Sequence, residues 1–430
     1  MLTLILAAAP PIDPHPLSML PFGTMLLCIA FLPIILKHHW ERSYHIIAVL
    51  LAAITVSYYF FGLGQPERIL REAVDYISFM ALVGSLFVVA GGIHIEVAGE
   101  AKPFLNCLFL ACGGILGNVV GTTGASMLLI RPWIRLNKYR YTALHTAFFI
   151  FLVSNVGGGL TPMGPPLFLG YLKGVPFWWV LQHCWRPWTI AMLAFLFIFY
   201  WVDRHNYRRA PREIRHAVTG ENKFRICGLR NLWFLALILA AVFIERPAFL
   251  RESLMLIAAT GSYVATPKQL HAANEFSFEP AKEVGWLFLG IFLTMVPVLD
   301  FMQLHARELA IDTPTKFYWV TGGLSSVLDN APTYLTFLAN ALGRNGLSVE
   351  SPAELHQFLN QGTREVAAIS MGAVFFGAAT YIGNSPNFMV KAIAEQQKMH
   401  TPSFIGFVFK FALPVVLPVV FLVCWLTFRQ

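Results

Sequence analysis

Two apolar stretches about half a chain apart are interrupted by the same kinds of residue. The first reads Ser154-Asn155-Val156-Gly157-Gly158-Gly159-Leu160-Thr161-Pro162-Met163-Gly164-Pro165-Pro166-Leu167-Phe168. The second reads Gly377-Ala378-Ala379-Thr380-Tyr381-Ile382-Gly383-Asn384-Ser385-Pro386-Asn387-Phe388. One offset lays Thr161 on Thr380 and Gly164 on Gly383, and a one-residue gap then aligns the later prolines. Proline removes a helical N–H and clashes with the preceding turn, so such runs break a helix. Inside a bilayer, freed backbone groups are tolerated only where they are buried in protein or line a cavity. Breaks at corresponding positions of two halves point to the binding site of an inverted-repeat carrier.

Composition agrees. A soluble domain is about 45–50% apolar and about 25% charged, whereas this chain is 57% hydrophobic and only 13% charged. Its mean hydropathy is +0.61. A span needs about 20 apolar residues, so 430 residues hold roughly ten. The net charge of +8 is not a nucleic-acid signal in this setting. Basic loops fix membrane orientation, and that accounts for the excess. The six cysteines lie mostly in apolar runs without a Cys-x-x-Cys pair, and read as small buried residues rather than zinc ligands or disulfide partners. Residues 1–9 are apolar but lack the basic flank of a signal peptide.

Apolar runs predict spans near 17–36, 44–64, 75–97, 141–181, 184–202, 230–245, 252–267, 284–305, 363–392 and 403–427. Two further segments, 103–131 and 316–343, are broken at Gly117–Gly124 and at Ser325–Thr333. Loop charge separates a kinked span from a re-entrant hairpin. If 103–131 returns to the face it left, then Arg131, Arg135, Lys138 and Arg140 share the inside with Arg204, Arg208, Arg209, Arg212 and Arg215. The expected fold is therefore an all-α polytopic membrane protein of two inverted repeats, each with a re-entrant hairpin and a broken transmembrane helix. Scaffold helices occupy 1–74, the first repeat 75–203, a basic cytoplasmic loop and connecting helices 204–283, and the second repeat 284–430. Both termini are expected outside. Whether 230–267 crosses once or twice stays open.

Unwound segments offer carbonyls to cations and helix N-termini offer N–H groups to anions. Hard cations prefer oxygen ligands. Candidates for binding a cation or substrate are Asn118, Thr122, Thr123, Ser154, Asn155 and Thr161 in the first half. In the second they are Ser325, Ser326, Asn330, Thr333, Thr380, Asn384, Ser385 and Asn387. Ser, Thr and Gly also pack helices against one another in membranes, so the clusters weigh more than any member. Asp329 stands apart: a carboxylate inside an apolar segment is costly and by default functional, and here a proton and a cation would compete for it. No Lys or Arg is expected deep in the broken segments. With no P-loop and no His-Glu-x-x-His motif, neither an enzyme nor an ATP-driven pump is expected.

The run Ser154–Gly164, with Val327-Leu328-Asp329-Asn330-Ala331-Pro332, resembles the ion transporter superfamily. That group includes NhaD-type sodium/proton antiporters, arsenite/antimonite permeases, and citrate and dicarboxylate carriers. Lys282-Glu283-Val284-Gly285-Trp286-Leu287-Phe288-Leu289-Gly290-Ile291-Phe292 is similar to the span that opens their second half. The resemblance covers most of 75–428. It implies inverted repeats, a sodium- or proton-coupled cycle and a homodimer in a bacterial-type inner membrane, with no cofactor beyond sodium as cargo or coupling ion. Its motifs look most like the NhaD type, with two departures. Pro165 stands where those sequences carry an acidic residue. Gly121 and Thr122 stand where the first hairpin often carries Asp-Asn, matching Asp329 and Asn330. Cation/proton antiport through Asp329, with sodium near Asp329 and Asn155, is the leading expectation. Sodium- or proton-coupled symport of a citrate or dicarboxylate anion is the alternative.

Overall fold

The computed structural model describes residues 12–98, 101–209, 223–244 and 246–429. Residues 1–9, together with Arg212, Arg215 and the terminal Gln430, lie outside that description. The chain is helical almost throughout. Helices α1 (Leu20–Ile35) and α2 (Lys37–Ser57) precede the long α3 (Pro66–Gly91). A short strand β1 (His94–Ala98) leads to α4 (Pro103–Asn137), α5 (Ala143–Leu152), α6 (Pro165–Lys173) and α7 (Trp179–Arg209). Strand β2 (Lys223–Cys227), α8 (Asn231–Val242), α9 (Leu250–Ala265) and α10 (Lys268–Ala273) connect to α11 (Glu279–Leu304). The chain closes with α12 (Pro314–Ser325), α13 (Asn330–Arg344), α14 (Pro352–Gln361), α15 (Thr363–Phe376), α16 (Ser385–Gln396) and α17 (Phe404–Thr427). Proline in the first turn starts many of them, because its missing N–H would have no helical partner there anyway.

Among the described residues, six helical segments are long and apolar enough to cross a membrane. One of the six, α4, does not run through. Gly121 has φ 73 and ψ 159, outside the helical region. On either side of it the arms pair. Asn106 Nδ2 donates to Asn137 Oδ1 at 2.8 Å, and the Phe109 and Trp133 rings stack with centroids 5.3 Å apart. In a straight helix Asn106 and Asn137 would be about 46 Å apart at 1.5 Å per residue. The ends are clamped too: Arg140 Nε donates to Ala101 O at 3.0 Å and its guanidinium pairs with buried Asp203 of α7. The segment is a hairpin that leaves and returns on one face, as the loop charges required.

The second hairpin joins α12 to α13. Its open end is tied where the Arg344 guanidinium donates to Ile311 O and Arg307 Nε donates to Arg344 O. The segment 230–267 is likewise a hairpin. Asn231 Nδ2 reaches both Thr266 Oγ1 at 3.0 Å and Gly92 O at 2.8 Å, so its two ends lie together beside the C-terminus of α3. It therefore returns to its starting face.

A feature absent from the all-α expectation is the antiparallel ribbon in which His94 faces Cys227 and Ala98 faces Lys223. Two loops forced to one face by the hairpin lie close enough to share backbone hydrogen bonds. The opposite end of α3 lies about 39 Å away at 1.5 Å per residue, enough to pass a hydrocarbon core of about 30 Å. Between the ends, Phe79 of α3 stacks on Phe288 of α11 at 4.7 Å. Gly290 lets α11 approach α2 closely, since a Cβ there would sit 3.0 Å from the Ala48 Cβ. The six cysteines are all unpaired.

Candidate functional site

The first break runs from the end of α5 to Pro165, and the second from the end of α15 to Ser385. They meet. Asn155 Nδ2 donates to Asn387 Oδ1 at 2.7 Å and to Ile150 O at 2.8 Å. Asn384 Nδ2 donates to Ser154 O at 2.8 Å and to Asn155 Oδ1 at 3.1 Å. Asn387 Nδ2 in turn donates to Gly377 O and Thr380 O, both at 2.8 Å. Asparagine suits this seam because each amide both donates and accepts, so it can bind an unwound carbonyl and a second side chain together.

Each break is also stapled to the hairpin of its own half, in the same way. Thr161 Oγ1 donates to Asn118 O at 2.6 Å, and Thr380 Oγ1 donates to Ser326 O at 2.6 Å. The register that lays Gly121 on Asp329 also lays Asn118 on Ser326. The paired threonines therefore make equivalent bonds to equivalent carbonyls. Asn118 adds a second tie, its Nδ2 to Gly157 O at 2.7 Å and its Oδ1 from Leu160 N at 2.8 Å.

In the second half the glycines let backbone carbonyls and amide side chains of the two breaks and the hairpin approach one another closely. A Cβ on Gly377 would lie 3.1 Å from both Asn155 Oδ1 and Gly383 O, and 3.4 Å from Asn330 Nδ2. One on Gly383 would lie 2.7 Å from Gly377 O and 2.8 Å from Ser325 O. Asn330 is buried and its Oδ1 has no hydrogen-bond partner. A buried acceptor without a partner is able to serve as a ligand to an alkali cation, which takes such oxygens. Asn330, rather than Asp329, is the tip residue that comes close to Asn155 here. Asp329 caps α13, its Oδ1 accepting from Ala331 N at 3.0 Å. It is buried, and no Lys or Arg pairs with it among the described residues.

The remaining candidates divide. Ser325 Oγ ties its hairpin to Ala373 O at 2.6 Å, and Thr333 bonds back to Asp329 O within its own helix. Ser326 Oγ turns back to Gly323 O, so its carbonyl, not its hydroxyl, serves the seam. Ser385 is half-buried in the first turn of α16. Thr122 is buried with an unpartnered Oγ1, against Gly158. Thr123 turns away, lining a small apolar cavity with Met80, Phe87 and Met389. One member went unforeseen: Ser126 shares a 2.8 Å hydrogen bond with Ser154. Its signal was its place one helical turn beyond Thr122 on the second arm. Unforeseen too is Lys173, which ends α6 away from the breaks and is buried among carboxylates, while the two breaks themselves carry no lysine or arginine.

Two hairpins and two mutually bonded helix breaks, buried within a bundle of membrane-crossing length, define an integral membrane protein with the build of a secondary transporter. Over residues 14–428 the chain matches the family described as "Putative citrate transport", and it belongs to that family. No curated protein matches it.

Proposed function

We propose that the protein is a cation-coupled symporter of a citrate-type polycarboxylate. The observation that carries this reading is the neutral asparagine seam, flanked by the N-termini of α6, α13 and α16. Amide and helix-terminal N–H groups can hold carboxylate oxygens. A neutral site cannot hold several anionic charges in low dielectric without compensation. Cations on the carbonyls around Gly377 and Gly383, with Asp329 nearby in sequence to Asn330, supply that compensation. Coupling follows, because anion and cation then stabilise one another in the site. It also serves the energetics, since each net negative charge moved against the membrane potential costs about 2.3 kcal/mol per 100 mV.

In this reading the protein works as a homodimer in a bacterial-type inner membrane, with Arg135 and Arg209 inside and both termini outside. A second reading, cation/proton exchange on Asp329, is favoured by that carboxylate's burial without a basic partner. Proteoliposomes separate the two. Sodium- or proton-driven accumulation of labelled citrate or a dicarboxylate supports symport. Sodium-driven proton flux with no organic anion present, and no citrate uptake, would establish exchange instead.

A further inference from the structure

At the end of α3 away from the β ribbon, helices α3, α6 and α11 and the connecting segments that carry Tyr59 and Glu350 bring together a buried charge cluster. Lys173 Nζ lies 2.5 Å from Glu72 Oε1, 2.9 Å from Asp75 Oδ2, and 2.9 Å from Glu350 Oε1. Arg71 Nε holds the other Glu350 oxygen at 2.9 Å. Beside them Arg68 pairs with Asp300 of α11, whose second oxygen accepts from Tyr59 Oη at 2.8 Å. Glu67, one turn earlier on α3, is exposed at the edge.

The charges do not balance. Arg68 also acts on Glu350, so three cations, Arg68, Arg71 and Lys173, meet four carboxylates, Glu72, Asp75, Glu350 and Asp300, and one negative charge is in surplus. Lys173, Glu72 and Glu350 are each about 3% exposed and Asp75 is 17% exposed, so the surplus negative charge is largely out of water. An uncompensated buried charge is expensive, and a titratable group relieves it by taking a proton. One oxygen is free to carry it. Glu72 Oε2 is buried with no hydrogen-bond partner, whereas both Glu350 oxygens are held by cations. A cavity of about 10 Å3 beside Glu72, bounded by Glu67, Arg68, Arg71 and Glu350, is the size of about one water.

We propose that this cluster is a proton-binding site, with Glu72 the carboxyl that takes the proton from water and returns it. Lys173 ends α6, the helix that begins at the first break, so displacement of that helix withdraws the ammonium and strengthens Glu72's hold on the proton. The link to transport rests on the symport reading above; the proton site itself does not. This places proton coupling apart from Asp329 and from the asparagine seam.

Infrared titration of the purified full-length protein in nanodiscs tests it without any substrate. The wild type should show a protonated carboxyl band that titrates with pH. Glu72→Gln should lose it, Asp329→Asn should keep it, and Glu350→Gln, which removes the surplus charge, should move its titration to lower pH. Glu72→Asp, one methylene shorter, guards against misfolding of the amide variant and should move the band. A band unchanged in Glu72→Gln and Glu72→Asp, or a titration that does not move in Glu350→Gln, overturns the assignment. For transport, one coupled proton is worth about tenfold accumulation per pH unit of gradient. Glu72→Gln should forfeit that factor while retaining substrate exchange at zero gradient. If the band behaves as stated but no variant or wild type moves a polycarboxylate, the symport reading fails and the proton site stands.

Discussion

The two hairpins solve one problem with different chemistry. The first reverses direction through a single glycine, Gly121, whose φ 73 and ψ 159 few other residues adopt. The second turns over Ser326, Val327, Leu328 and Asp329, all outside the flanking helices, and ends in a carboxylate that caps α13. Both tips receive the same threonine staple from their own break. A shared frame thus carries unlike tips, one with no charge and the other with Asp329. Such a division suits a site where one half offers neutral donors and the other holds the coupling cation.

The largest effect should follow from removing the glycine. A Cβ on Gly121 would sit 2.6 Å from Met163 O, a backbone atom of the first break. The conformation itself costs on the order of 1–3 kcal/mol for a non-glycine residue, before the clash. Gly121→Ala should therefore abolish a monodisperse peak in fluorescence-detected size exclusion, whereas Gly323→Ala, with open space around it, should not. Equal behaviour of the two variants would mean that the first tip tolerates a side chain, and the contrast between the hairpins would collapse.

Asp329→Asn comes next, and its effect should fall on coupling rather than folding. The amide keeps the size and an acceptor for the cap to Ala331 N. It removes the charge that a bound cation would meet. Cation-driven accumulation should vanish while protein yield stays at the wild-type level. Retained accumulation with an unchanged cation dependence would reduce Asp329 to a helix cap.

These tests use features that the sequence carried unequally. The glycine and proline breaks, and the hairpins at Gly121 and Asp329, were legible because irregular backbone in a bilayer is rare and loop charge fixes the face of return. The asparagine seam was legible as residues but not as a pairing, since nothing local says that Asn155 meets Asn387. The β ribbon escaped notice because two short polar loops acquire strand pairing only once the helices bring them together. Lys173 escaped for a similar reason. Its carboxylates come from Glu72, Asp75 and Glu350, and a lysine at a helix end normally reads as an interface residue.

Asn155→Ala probes the seam that joins the unlike halves. It removes donation to Asn387 Oδ1 and Ile150 O and acceptance from Asn384. Leaving buried partners unsatisfied costs about 1–3 kcal/mol each. A lower thermal-unfolding midpoint in detergent and strongly reduced uptake should appear together. A lowered midpoint with wild-type uptake would show that the seam only holds the halves together.

The smallest effect, and the sharpest check on the shared frame, concerns the two staples. Thr161→Val and Thr380→Val each delete one hydroxyl while keeping the branched shape. Each loses one donated bond, to Asn118 O or to Ser326 O, both 2.6 Å long. The simple expectation is a loss of about 1 kcal/mol for each. The staples are not quite equal, however. Thr380 Oγ1 also accepts from Ile382 N at 3.2 Å and Gly383 N at 3.0 Å, ordering the carbonyl turn around Gly383. Thr380→Val should therefore lower the midpoint more than Thr161→Val, since it leaves two further N–H groups without an acceptor, and should also raise the sodium concentration needed for half-maximal uptake more than Thr161→Val does. If the two variants shift sodium dependence equally, the second half holds no special claim on the cation. If Thr161→Val shifts it more, the cation sits with the uncharged tip and the division between the hairpins runs the other way.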